Sequence, residues 1–296
     1  MSEDKHLIIG TRGSKLALIQ TALVSDALKH HYSELIIETK IIKTEGDINQ
    51  SPIPLDTIGK SWFTAEIEQA LTNGEIDLAI HSLKDMSLQI PFGLTTTAVL
   101  ERADPRDVLI SKSAKHLADL PAGAIIGTDS VRRKVLLLNK HPNLIVKSIR
   151  GNVDTRIKKL HSENYDAIVI AAAGLERLGM LDVVTEFFDQ TTFLPASGQG
   201  ILAAQTRSDR NDILELLHNI EHVPTQIAAQ AELTFSRAMG GGCKLPIGCF
   251  AQVKENTISI HAVVGDLNSN KVLRKSIDGS LSEAVHLAEE LAKKFL

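Results

Sequence analysis

Cysteine, tryptophan and excess charge are all scarce in this chain of 296 residues. It has two cysteines, one tryptophan and a formal net charge of −4 at neutral pH. Two cysteines cannot form a disulfide framework, and no group of cysteines and histidines has the spacing of a zinc site. A slightly acidic chain has no general attraction to nucleic acid or to an anionic membrane, so neither is expected as a partner.

Long apolar runs are missing as well. No stretch approaches the length of a membrane-spanning helix, and the polar start Met1–His6 lacks the apolar stretch of a signal peptide. We therefore expect a cytoplasmic protein, and the absence of an obvious exposed apolar stripe favours a monomer. Hydrophobic residues make up 43% and charged residues 23% of the chain, which is typical of a globular protein with two or three domains.

Short apolar runs alternate with helical periodicity over the first two thirds of the chain. Strands such as 76–80 alternate with helices, which predicts an α/β fold with parallel strand pairs and helices on both faces. Residues 8–14 and 125–130 both lead from a strand through Gly-Thr to a helix, which predicts two lobes of one construction. The charged segment 101–107 suits a linker. After about Thr225, a helix and three β-like stretches predict a small α+β domain.

Cys243 lies in the run Gly240-Gly241-Gly242-Cys243-Lys244. Glycines let the backbone bend sharply and leave the sulfur open to a large partner. The neighbouring lysine favours a reactive thiolate. A small hydrophobic side chain in a tight turn is the alternative interpretation, and the two stay open at this point.

Arginines recur where predicted strands end or predicted helices begin. A cation in the first turn of a helix opposes the macrodipole at about 0.3–1 kcal/mol, so this placement is typical of a site with an anionic ligand. The chain has no Walker loop and no intact G-x-G-x-x-G, which favours carboxylate over phosphate. Solvated charge, or pairing with acids such as Asp129, is the alternative for any single arginine. Arg177 is predicted to open the helix after Gly174. The arginines at these predicted strand ends and helix starts are Arg12, Arg132, Arg133, Arg150, Arg156 and Arg177.

Asp85 follows a buried strand, after the polar residues His81 and Lys84. It is the acid best placed to face an arginine-lined cleft, where it handles protons or stabilises a developing cation. A capping or salt-bridge role beside Lys84 is the alternative. His81 is predicted to be structural, because nothing nearby completes a triad or a metal site.

Motifs in a fixed order run from about Ile8 to Gly248. They lie at 59–64, 74–85, 101–107, 127–133, 150–156, 171–175, 195–200 and 241–248. In these motifs the chain resembles the porphobilinogen deaminase family, also called the hydroxymethylbilane synthase family.

The resemblance implies an α/β fold with two periplasmic-binding-protein-like lobes, mostly parallel sheets and a C-terminal α+β domain. The implied limits are 1–100 with 201–219 for the first lobe, 106–195 for the second and 223–296 for the C-terminal domain. The implied enzyme is a transferase that joins four porphobilinogen units with release of ammonia and gives hydroxymethylbilane. Its implied cofactor is dipyrromethane, attached through a thioether to Cys243.

The resemblance also implies a role for each candidate site residue. Asp85 would stabilise the cationic pyrrole that remains when ammonia leaves. The implied contacts to the cofactor carboxylates are Ser14, Lys84, Thr128, Ser130, Arg132 and Arg133. The implied contacts to the substrate and the growing chain are Arg12, Arg150, Arg156 and Arg177, with Gln20, Phe63 and Gln199 lining the site. No metal is implied.

The chain departs from the family pattern at five places, none of which has an assigned role. Lys15, Asp129, Met86-Ser87, Gln205 and Leu233 stand where proline, serine, a hydrophobic–proline pair, glutamate and arginine are usual. A non-enzymatic two-lobed protein that binds or senses a small polycarboxylate is the competing function. It accounts for the arginines, but it does not account for a cysteine in a glycine loop on an added domain.

Overall fold

The computed structural model describes residues 6–48, 64–241 and 245–296. These residues divide into two compact units. The first holds 6–48, 64–102 and 201–226, and the second holds 103–200, 227–241 and 245–296. Phe63 and Cys243 lie outside the described residues. Within the described ranges, no helix has both the length and the apolar character that crossing a membrane requires.

Helices separate many, but not all, of the consecutive strands along the described chain. The strands are β1 His6–Thr11, β2 Ile36–Ile41, β3 Leu78–Ser82, β4 Leu94–Val99, β5 Asp107–Ser111, β6 Ile125–Gly127, β7 Ile145–Lys147, β8 Ala167–Ala171, β9 Glu186–Phe187, β10 Leu202–Arg207, β11 Ile247–Lys254, β12 Thr257–Gly265 and β13 Val272–Ser280. The helices are α1 Lys15–His31, α2 Glu45–Ile48, α3 Ala65–Thr72, α4 Val131–Lys140, α5 Val153–Ser162, α6 Ala172–Leu178, α7 Asn211–His218, α8 Val223–Ala238 and α9 Ala284–Lys293.

Two five-stranded sheets share one pattern. The first sheet has the order β2-β1-β3-β10-β4, and the second has the order β7-β6-β8-β5-β9. In each sheet the first three strands are parallel and the last two run antiparallel to their neighbours. The predicted α/β fold class is confirmed. In the first sheet, β10 brings the chain back after residue 200 and pairs with both β3 and β4.

Apolar side chains of the helices pack against apolar side chains of the two sheets. In the first unit, Leu7 and Ile9 of β1 pack with Val24 and Leu28 of α1. In the second unit, Ile126 of β6 belongs to a core cluster that α4 also lines. This packing places the N-termini of α1 and α4 just beyond the carboxyl ends of β1 and β6, where ligands commonly bind in α/β folds.

The C-terminal part of the second unit is an antiparallel sheet of β11, β12 and β13 in that order. Its core joins Phe235 of α8, Ile258 and Ile260 of β12, and Leu291 of α9. The loop that carries Cys243 connects α8 to β11, so both elements that flank it belong to this core.

Candidate anion-binding and catalytic site

Matching serines cap the first helix of each sheet. Ser14 accepts a hydrogen bond from the Ala17 amide at 3.2 Å, and Ser130 accepts one from the Arg133 amide at 3.4 Å. Each serine therefore satisfies one of the backbone donors that a helix N-terminus leaves open. Thr128, which is 4% exposed, accepts from the Ser130 amide at 3.3 Å. The predicted echo between residues 8–14 and 125–130 is thus a repeated strand–cap–helix unit.

Arg132 and Arg133 lie in the first turn of α4, as predicted, and both turn inward onto one carboxylate. Asp107, at the start of β5, is 0% exposed. Arg133 donates to its Oδ1 at 2.6 and 3.0 Å, and Arg132 Nη1 lies 2.8 Å from its Oδ2. Two guanidinium groups share one carboxylate, so this cluster carries one net positive charge.

The Asp107 carboxyl is ionised because of its neighbours. Burial by itself would raise its pKa, but the charges of Arg132 and Arg133, with their hydrogen bonds, hold the pKa well below its usual range. Arg133 also donates to the Val169 carbonyl at 3.1 Å. Arg132 donates to the Leu194 carbonyl at 2.6 Å, while its buried Nε has no hydrogen-bond partner among the described residues. A buried donor without a partner is uncommon and indicates a place for a further acceptor.

Gln199 and Arg177 join this cluster through the residues 199–200. The Gln199 amide nitrogen donates to Asp107 Oδ1 at 2.9 Å and to the Pro105 carbonyl at 2.7 Å. Arg177 donates to the Gly200 carbonyl at 2.7 Å, and burial lowers its pKa to about 10 against the opposing charge of Glu176. The prediction that Arg177 opens a helix is wrong: α6 begins at Ala172, directly after β8, and Arg177 lies in its last turn, where a cation is favourable.

Arg150 and Arg156 lie after β7 in the same unit. Arg150 Nε lies 3.6 Å from Asp129 Oδ2, and Asp129 also accepts a hydrogen bond from Ser148. Arg156 donates to the Gly151 carbonyl at 2.7 Å. Asp129, which stands where the family usually has serine, therefore shares its charge with one of the arginines assigned to the substrate.

The candidate residues of the first unit gather at the carboxyl ends of β1 and β3. Asp85 is exposed and ends a 3₁₀ turn, Leu83–Asp85, that follows β3 directly, with Lys84 half-buried in the same turn. Gln20, which is 4% exposed, donates from α1 to Ser82 at 2.9 Å. Arg12 is half-buried just after β1, and its positive charge acts on His81.

His81, a residue of β3, belongs to a buried polar cluster. Burial lowers its pKa to about 4, a contact with Gln205 opposes this shift, and the charge of Arg12 adds to it. Gln205 donates to Glu68 at 3.3 Å. Burial raises the pKa of Glu68, against hydrogen bonds with Gln205 and Thr64. The predicted structural character of His81 agrees with an imidazole that is buried and neutral at pH 7.

Two functional candidates were not predicted from the sequence. Asp107 gathers the buried arginines, and Glu232 of α8, 0% exposed, accepts hydrogen bonds from two backbone amides. An acid that directly precedes the apolar run of β5 is the signal for the first. An acid on the same helix face as Ala228 and Phe235 is the signal for the second.

These features define a class of protein: an α/β protein with two sheets of one topology, a buried arginine cluster suited to carboxylates, and an added antiparallel domain. A family model described as "Porphobilinogen deaminase, dipyromethane cofactor binding domain" matches residues 7–215, and one described as "Porphobilinogen deaminase, C-terminal domain" matches residues 226–296. The chain belongs to the porphobilinogen deaminase family.

Curated relatives match nearly the whole chain. The porphobilinogen deaminase of Syntrophus aciditrophicus is 45% identical over 289 residues, which is 97% of this chain and 94% of that protein. The porphobilinogen deaminase of Thermus thermophilus is 43% identical over 291 residues, 98% of this chain and 95% of that protein. Among solved structures, the methionine-binding protein MetQ aligns at a TM-score of 0.48 and 14% identity, over 78% of this chain and 96% of MetQ.

Proposed function

We propose that the chain joins four porphobilinogen units head to tail, with loss of ammonia at each step, and releases the linear tetrapyrrole hydroxymethylbilane. Membership of the porphobilinogen deaminase family carries this proposal. The competing function, a non-enzymatic binder of a polycarboxylate, is not favoured. The relatives that match this chain over nearly its full length are named porphobilinogen deaminase.

The second unit suits a ligand with several carboxylates. Arg132 and Arg133 both form their ion pair with the single carboxylate of Asp107, and Arg132 Nε is a buried donor without a partner among the described residues. Dipyrromethane carries acetate and propionate groups, and guanidinium groups bind such carboxylates strongly when water is excluded. We assign the cofactor carboxylates to Arg132 and Arg133 with Ser130, Thr128, Ser14 and Lys84. The fit rests on the one net positive charge of the buried cluster.

Cys243 is proposed to hold the cofactor through a thioether. The residue lies outside the described part of the chain, but the helix and the strand that flank its loop belong to one core. When bound, the cofactor supplies the free pyrrole position to which the first substrate unit is joined. A permanent attachment would keep the growing chain bound to the protein through every addition.

Asp85 is proposed as the catalytic residue. Its carboxylate is exposed at the end of a 3₁₀ turn, where a substrate can reach it. A fixed negative charge there stabilises the positive charge that develops on the pyrrole as ammonia leaves. Arg12, Arg150, Arg156 and Arg177 are proposed to hold the carboxylates of the substrate and the growing chain, and Gln20, Phe63 and Gln199 to line the site.

The remaining assignments belong to the same proposal. We propose a cytoplasmic monomer with porphobilinogen as its small-molecule substrate and with neither nucleic acid nor membrane as a partner. A net charge of −4 supports the absence of a polyanionic partner. The domain limits 1–100 with 201–219, 106–195 and 223–296 also stay proposals.

Intact-mass analysis of the purified protein tests the function. We expect a mass increase of two linked pyrrole units in the native chain, and the unmodified mass in Cys243→Ser. Active protein that carries no added mass would reject the thioether assignment. Asp85→Ala is the matched variant: we expect it to keep its fold and its added mass while hydroxymethylbilane formation falls by about 100-fold or more. Turnover near the native rate would remove Asp85 from the mechanism.

A further inference from the structure

Residues 194–200, here called the 194–200 segment, lie against the arginine cluster of the second unit. Arg132 donates to the Leu194 carbonyl at 2.6 Å, and Arg177 donates to the Gly200 carbonyl at 2.7 Å. Gln199, within the segment, donates to Asp107 at 2.9 Å. The segment is therefore held at three points: by Arg132 and Arg177, which are proposed to bind carboxylates, and by Asp107, which pairs with the buried arginines.

The same segment is also held by the C-terminal part of the unit. Glu232 of α8 accepts from the Gly198 amide at 2.7 Å and from the Ala251 amide of β11 at 2.8 Å. One turn further along α8, Ser236 shares a hydrogen bond with Ser197 at 2.6 Å. A single buried carboxylate therefore joins the segment to both α8 and β11.

Strand β11 also lies directly on the segment. A Cβ at Gly248 would come within 2.8 Å of the Pro195 carbonyl oxygen and 3.0 Å of the Leu194 carbonyl oxygen. Only glycine permits this close approach of two backbones. The position of β11 is therefore set by contact with the segment as well as by Glu232.

Both elements that Glu232 joins lead into the loop of Cys243. Helix α8 ends at Ala238 and β11 begins at Ile247, so the loop begins and ends next to elements that Glu232 holds. The 194–200 segment contacts Arg132 at Leu194, and it contacts α8 and β11 at Gly198 and Pro195. A ligand attached at the loop and held by the arginines meets both points only if their separation is maintained.

We propose that Glu232 is a positioning residue that holds α8 and β11, the two elements that flank the Cys243 loop, in a set position relative to the arginine cluster, through the 194–200 segment. This inference rests on the proposed function. A misplacement of about 1 Å can cost a factor of about 100 in the rate of a positioned reaction. An effect of charge alone would go in the opposite direction, since removing a negative charge from this unit would strengthen carboxylate binding.

The test is the rate at which protein made without cofactor gains it. The chain is produced in a host that cannot make porphobilinogen, then given porphobilinogen, and the added mass is followed by intact-mass analysis. Glu232→Gln keeps the shape of the side chain but has one carbonyl oxygen, so it can accept from only one of the two amides. We expect the added mass to appear at least 10-fold more slowly than in the native chain.

Three further variants separate positioning from stability. Ser236→Ala removes the neighbouring contact of α8 to the segment, and we expect a change of less than threefold. Leu287→Ala, on the face of α9 that packs in the C-terminal core, is expected to lower the melting temperature but to leave the Glu232 contacts in place. We expect it to gain the added mass at the native rate. Gly248→Ala displaces β11 from the Pro195 carbonyl and should slow loading as Glu232→Gln does, which keeps the test open if Glu232→Gln fails to fold.

Native-like loading in both Glu232→Gln and Gly248→Ala overturns the inference. Equal slowing in Leu287→Ala, at a similar melting temperature, overturns it too, because stability would then account for the loss. A native chain that never gains the added mass removes the proposed function itself, and with it any role of Glu232 in loading. A native chain that loads leaves the outcome to the variants alone.

Discussion

The two five-stranded sheets have the same strand pattern and the same serine cap, yet their buried polar groups differ in kind. In the first sheet, His81 of β3 and Gln205 of β10 form a buried polar cluster with Glu68 of α3, and the charges of His81 and Glu68 depend on pH. Against the second lie Arg132 and Arg133 with Asp107. Arginine does not lose its proton at any ordinary pH. The same architecture therefore contains one titratable polar interior and one with a fixed charge.

The difference supports the proposal that the arginines of the second unit hold the carboxylates of the cofactor. A carboxyl whose pKa is held below its usual range contributes stability above its unfolded pKa, and this stability is lost only as the pH falls through the folded value. Asp107 therefore stays ionised across the neutral and mildly acid range, and the cluster keeps its net positive charge. A cofactor that remains bound through many turnovers needs such a constant partner.

Removing each buried carboxylate is the strongest test of this comparison. In Asp107→Asn, two buried arginines lose their counter-charge, so we expect the free energy of unfolding to fall by about 3–5 kcal/mol. Burial raises the pKa of Glu68, which means that the protein environment disfavours its charged form. For Glu68→Gln we therefore expect the free energy of unfolding to change by no more than about 1 kcal/mol. Chemical denaturation at pH 7.5 measures both. Equal losses in the two variants would contradict the distinction between the sheets.

Acid should destabilise the first sheet through His81. Its folded pKa of about 4 lies below the ordinary value of 6.5, so the unfolded chain binds the proton more readily between these values. Stability from His81 is therefore complete above pH 6.5 and is lost as the pH falls toward 4. Between pH 7.5 and 5 the loss is about 2 kcal/mol. Glu68, whose pKa is raised, opposes this slope above its own unfolded value.

Comparing the native chain with His81→Gln isolates the histidine term from that of Glu68. Each protein is unfolded by denaturant at pH 7.5 and at pH 5, and the difference between the two pH values is compared. We expect the native chain to lose about 2 kcal/mol more than the variant. The same loss in both proteins would show that His81 is not the group responsible.

Local patterns in the sequence predicted much of this architecture. The repeated Gly-Thr marked the carboxyl ends of β1 and β6. Arg132 and Arg133 lie in a first helical turn as expected. Asp107 was not predicted, because its partners are 25 and 26 residues away in the chain and meet it only when β5 and α4 pack in one unit. Arg177 was misplaced because Ala171-Ala172-Ala173 contains no residue that marks a helix start.

Equivalent glycines at the ends of β1 and β6 give the smallest and sharpest comparison. A Cβ at Gly10 would overlap Ile76 Cδ1, the far end of a side chain that can rotate away. A Cβ at Gly127 would lie 2.9 Å from Ile149 Cγ2 and 3.1 Å from both Ile149 Cβ and Ile168 Cγ2. These atoms sit next to the backbone on β-branched side chains, whose rotamers are restricted.

We therefore expect Gly127→Ala to lower the free energy of unfolding by about 1–3 kcal/mol, and Gly10→Ala to cost about 1 kcal/mol less. Denaturant unfolding of the two variants beside the native chain measures the difference. Strand β6 leads through Thr128 and Ser130 to the helix of Arg132 and Arg133, so we expect that a shift of β6 disturbs their contacts with Asp107. The side chain of Ile76 can change its rotamer without moving β1. A larger loss in Gly10→Ala would show that the first sheet is the more tightly packed, and would reverse the contrast drawn between the sheets.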